Sequence, residues 1–135
     1  MQTPKRNQLV RFVLFSNGVA DLCAALALFF PVLNLPLPGY APYTNELAFV
    51  AGGWGIAALT FGIGRIWAAY KPEFYWVMGV LGVIEGTILT AYCLINVFFL
   101  DITLLQAMLP LAVASIFGSL YVVALVRLPR LSRRD

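Results

Sequence analysis

Four long apolar runs follow one another along this chain, at about residues 9–31, 47–70, 74–100 and 102–126. Each holds about 20 residues or more, the length that ~30 Å of hydrocarbon requires at a rise of about 1.5 Å per residue. The pattern predicts an all-α integral membrane protein: an antiparallel four-helix bundle forming a single transmembrane domain over residues 1–135. The first run sits behind basic residues, as a signal peptide does. It is longer than a signal core, however, and closes on Phe29-Phe30-Pro31 without a small-x-small cleavage site, so it reads as a retained span.

The polar interruptions orient the bundle. Lys5, Arg6 and Arg11 precede span one, Arg65 and Lys71 fall at the link between spans two and three, and Arg127, Arg130, Arg133 and Arg134 follow span four. All nine basic residues are thereby assigned to one side. The other two links carry only Glu46 and Asp101. The positive-inside rule then predicts a multi-pass protein with both termini in the cytoplasm, N-in and C-in.

The links have their own chemistry. Asn34 to Tyr43 contains three prolines and two tyrosines and is predicted non-helical, lying on the outer interface. Pro72 falls where a helix can begin. Asp101 alone is expected to separate spans three and four and to cap the fourth helix. Pro110 predicts a kink in span four, because it cannot donate to the carbonyl of Gln106.

Composition narrows the function classes. Apolar residues make up 61% of the chain and charged residues 11%, against roughly 25% charged in a soluble domain. The surplus apolar surface is assigned to a lipid bilayer. There is no histidine, the usual ligand for haem, zinc or copper and the usual general base. Cys23 and Cys93 form no CxxC pair and lie in apolar runs, at depths too different for a disulfide within the chain. No cofactor or metal is expected. The formal charge of +3 reflects clustering at one membrane face and does not predict a nucleic-acid partner.

Counting rise from the basic boundary places Asp21, Trp54, Glu85 and Ser115 near the bilayer centre, one on each span. A carboxylate there costs roughly 2.5 kcal/mol or more. The count leaves every Lys and Arg at the boundary, about 15 Å away, so Asp21 and Glu85 are expected to face the bundle interior without a basic partner and to share a proton. Asn17 and Gly18 lie on the Asp21 face, and Tyr92 lies two turns beyond Glu85. Together, Asp21, Glu85, Asn17, Trp54, Ser115 and Tyr92 are the candidate ligand- or proton-binding residues. Gly55, Gly62, Gly82, Gly86 and Ser119 are candidate helix-packing positions, because small residues let membrane helices approach closely. The bland alternative for the acid pair is a protonated clasp that sets helix register.

The segments Gly52-Gly53-Trp54-Gly55, Phe61-Gly62-Ile63-Gly64 and Ala68-Ala69-Tyr70-Lys71-Pro72, with Gly79 and Gly82, resemble the BphX-like and DoxX-like small bacterial membrane proteins. The resemblance covers spans two and three, about half the chain. It implies a four-helix bundle in a bacterial inner membrane and carries no catalytic residue. Three functions are consistent with these readings. The first is a non-enzymatic subunit or accessory bundle that docks with other membrane subunits or as a homo-oligomer. The second is a proton- or cation-coupled carrier using Asp21 and Glu85. The third is a quinone-linked redox protein.

Overall fold

The computed structural model describes residues 4–29 and 44–128, with side chains from residue 8. Four α-helices account for nearly all of it: α1 (Pro4–Phe29), α2 (Asn45–Ala68), α3 (Tyr75–Phe99) and α4 (Leu104–Arg127). All four are long and apolar enough to cross a membrane, and no strand occurs among the described residues. The chain is an all-α, multi-pass, four-helix membrane bundle. The Asn34–Tyr43 loop lies outside the described residues, as does the end of the expected first span.

Local chemistry sets the helix ends. Thr44 caps α2, its hydroxyl accepting from the Leu47 N–H at 3.2 Å. A single 3-10 turn, Pro72–Phe74, leads into α3. The link between α3 and α4 is longer than the lone Asp101 expected, running from Leu100 to Thr103. Asp101 does not cap α4. It takes a left-handed conformation with φ 56°, and beyond it the Ile102 N–H turns back to the Asn96 carbonyl at 3.4 Å. The cap is Thr103, whose hydroxyl accepts from the Gln106 N–H while the Gln106 side chain accepts from the Thr103 N–H. This reciprocal pair satisfies two donors that the helix cannot satisfy internally. Helix α4 continues through Pro110 without interruption.

The helices associate as two hairpins. In the first, α1 and α2 cross where a Cβ on Gly62 would lie 2.9 Å from the Gly18 carbonyl oxygen. In the second, α3 and α4 cross where a Cβ on Gly86 would lie 2.7 Å from the Gly118 Cα. Lipid tails are as apolar as leucine, so close backbone approach, rather than hydrophobicity, holds such crossings. The two hairpins meet through a core of Val10, Val13, Leu14, Ala68, Ala69, Tyr75, Tyr121 and Ala124. Every one of these lies in the half of the bundle nearest Arg11, Lys71 and Arg127. Tyr75 fastens the turn there, its hydroxyl donating to the Ala69 carbonyl at 3.0 Å. The far halves of the helices carry large exposed apolar side chains, among them Trp54, Phe98 and Met108, as a lipid-facing surface requires.

Candidate functional site

The most polar point within the membrane spans is built around Arg65, whose residue is 1% exposed. Its Nη1 donates to Asp21 Oδ2 on α1, and its Nη2 donates to Glu85 Oε2 on α3. Asn17, one turn before Asp21, completes the set. With its amide oxygen turned to the guanidinium, it accepts from Arg65 Nε at 3.2 Å and from Nη1 at 3.1 Å. The same oxygen lies 3.1 Å from the Tyr121 hydroxyl of α4, which is fully buried. Each helix thus contributes: Asn17 and Asp21 from α1, Arg65 from α2, Glu85 from α3 and Tyr121 from α4.

The expectation that Asp21 and Glu85 lack a basic partner is therefore incorrect. Counting α-carbons put Arg65 at the membrane boundary, but side chains do not leave a helix perpendicular to it. Every Cα–Cβ bond tilts toward the helix N-terminus. Helix α2 runs toward the basic end, so Arg65 points away from that end and into the membrane. Helices α1 and α3 run the other way, so Asp21 and Glu85 point toward Arg65. The backbone separation is also small. The Asp21 Cβ lies 3.1 Å from where a Gly62 Cβ would be, one turn along α2 from Arg65. The guanidinium passes 5.4 Å from the ring centre of Phe61, a residue one turn toward the α2 N-terminus, which marks its direction. Among the described residues, Lys71 lies in the link after α2 and Arg127 ends α4.

Glycines shape the pocket. A Cβ on Gly82 would stand 2.3 Å from the Tyr121 ring, so Gly82 provides the space in which that ring lies. Gly62 lets α1 bring Asp21 against α2. Gly55 faces Leu28 and Phe29 of α1, with 3.3 Å between its notional Cβ and that of Leu28. Gly86 forms the α3–α4 crossing beside Glu85.

The remaining sequence candidates lie elsewhere. Trp54 is 70% exposed and eight residues beyond Gly62, about 12 Å from the Asp21 level, so it does not share the acids' depth as expected. Ser115 is close to the expected depth, since the carbonyl oxygen of its neighbour Ala114 lies 2.9 Å from where a Cβ on Gly86, next to Glu85, would be. Its hydroxyl lies 3.5 Å from that of Thr90, however, and does not join the cluster. Tyr92 is exposed, and its carbonyl accepts from the Asn96 side chain. Ser115 and Ser119 line an open groove along the α3–α4 seam with Gly86, Thr87, Thr90 and Gly118. Cys23 and Cys93 are free thiols. No group of three or more His, Cys, Asp or Glu side chains is arranged to hold a metal among the described residues.

The chain matches no family model, no curated protein and no solved structure. Its chemistry is read from these side chains. The cluster joins the two hairpins at the far edge of their shared core, and its geometry is that of a clasp. One forked guanidinium serves two carboxyls and an amide, a task suited to arginine because its N–H groups diverge in a plane.

Proposed function

We propose that this protein is a non-enzymatic subunit of a membrane assembly in a bacterial inner membrane, with both termini cytoplasmic, and that it docks through the outer face of its second hairpin. The observation that carries this reading is the open groove along α3 and α4. Thr87, Thr90, Ser115 and Ser119 bring hydroxyls to this surface, beside the close Gly86–Gly118 crossing. Three of the four hydroxyls already bond locally: Thr87 donates to the Val83 carbonyl at 2.8 Å, and Thr90 pairs with Ser115. Small residues with hydroxyls are the composition through which membrane helices pack and hydrogen-bond. Lipid tails supply no partner for such groups, whereas another helix does. The Arg65 clasp supports the same reading, because it fixes the hairpins in one relative position and so presents a constant surface.

Photo-crosslinking in native membranes tests the proposal. A photoreactive residue at Ser119 should give a discrete protein adduct, and one at the exposed Phe12 of α1 should not. Ser119→Leu should abolish co-purification of that adduct's partner while leaving the helical content unchanged. Equal adducts from both positions, or none from Ser119, would reject docking on this face.

A further inference from the structure

We propose that the clasp carries a single proton, held on Glu85. This goes beyond the subunit reading and rests on a different observation, the mismatch of charges around Arg65. One guanidinium faces two carboxyls, Asp21 through Nη1 and Glu85 through Nη2. With both carboxyls ionised the site has a formal charge of −1, and with one protonated it is neutral. Unbalanced charge within hydrocarbon is costly, and two acids at one site share a proton to avoid it. Among the described side chains that face the cluster, α4 contributes the hydroxyl of Tyr121 and α1 the amide of Asn17, neither of them a cation. Lys71, the next basic residue along α2, is six residues from Arg65, about 9 Å of helical rise and beyond the helix end. Nothing else described at the cluster balances the second carboxylate.

The surroundings assign the proton to Glu85. The Asp21 side chain is 17% exposed and wedged against Gly62, beside the Arg65 guanidinium, whereas that of Glu85 is 46% exposed on a span surface that faces lipid, where an ionised carboxylate is costliest. Asp21 is the counter-ion of Arg65 and Glu85 the carboxyl that holds the proton. Protonation adds H⁺ to one Glu85 carboxylate oxygen, takes the site from −1 to neutral and changes no other bond. The second oxygen still accepts from Arg65 Nη2, so the clasp keeps its hydrogen bonds in both states.

Infrared spectroscopy of the carboxylic-acid C=O stretch, on protein reconstituted in phosphatidylcholine vesicles at neutral pH, tests the proposal. Wild-type protein should show one protonated carboxyl band in the low-dielectric region, and carboxyl-13C glutamate should shift it to lower frequency. Glu85→Gln and Asp21→Asn should each abolish it, because either change leaves one carboxyl opposite one guanidinium. Arg65→Gln should double it. A wild-type spectrum without this band, or with a band that glutamate labelling leaves in place, overturns the proposal. Those two wild-type outcomes require no variant to fold. Loss of the band in either single-acid variant confirms that it belongs to this cluster.

Discussion

Replacing Arg65 by Gln removes the side chain on which three helices converge. Arg65 makes four hydrogen bonds, to Asp21, Glu85 and twice to Asn17. Interhelical hydrogen bonds in membranes average about 0.6 kcal/mol, so four come to about 2.5 kcal/mol. Removing one partner from a buried ion pair costs about 3–5 kcal/mol, because the abandoned charge stays buried. The substitution should therefore destabilise the bundle by about 3 kcal/mol, the carboxyls limiting the loss by taking up protons. Equilibrium unfolding in mixed micelles, followed by tryptophan fluorescence, measures it. Asp21→Asn and Glu85→Gln added to Arg65→Gln should recover most of the loss, since a neutral amide network leaves no unpaired charge. Arg65→Lys should recover little, because one ammonium does not reproduce the planar fork. An Arg65→Gln protein as stable as wild type would place Arg65 outside any interhelical network.

Packing and capping give further expectations. Gly86→Ala should cost about 1–3 kcal/mol in the same unfolding assay, because its Cβ would meet the Gly118 backbone, which cannot rotate aside. Gly53→Ala should cost nothing measurable, since apart from its own stretch of helix nothing lies within 4 Å of the added methyl. Thr103→Ala should lower stability by about 0.5–2 kcal/mol through loss of the cap, whereas Asp101→Gly should raise it, because glycine adopts φ 56° without steric cost.

Span number and span type were legible because they depend only on the length of apolar runs. That Asp21 turns inward was legible for a similar reason, since an acid in hydrocarbon seeks the interior; Glu85 does not follow that expectation, its side chain being 46% exposed and held to the cluster through Arg65. Their shared partner was not legible. A linear count locates Arg65 by its α-carbon and ignores the tilt and length of its side chain, which bring it inward by about a turn. The same count set Trp54 level with the acids, although the crossing at Gly62 puts Asp21 beside a residue eight positions further along α2. Tyr121 left no local trace. Its position depends on the space at Gly82, and a glycine announces close approach without naming what approaches. The α4 cap, by contrast, was written in the sequence: Thr103-Leu104-Leu105-Gln106 has the spacing of a capping box. Asp101 drew the assignment because it is the charged residue in the link.

The contact between Arg65 and the two acids is the feature on which the bundle's arrangement rests, and solid-state NMR in lipid bilayers reads it directly. The measurement is the dipolar coupling between guanidinium 15N and side-chain carboxyl 13C of aspartate and glutamate, with Arg65→Lys subtracting the other arginines. Wild-type protein should show coupling to both carboxyl types at hydrogen-bonding distance, with the aspartate signal lost in Asp21→Asn and the glutamate signal lost in Glu85→Gln. A wild-type spectrum identical to that of Arg65→Lys would contradict this, leaving Arg65 at the membrane boundary and the two hairpins without their clasp.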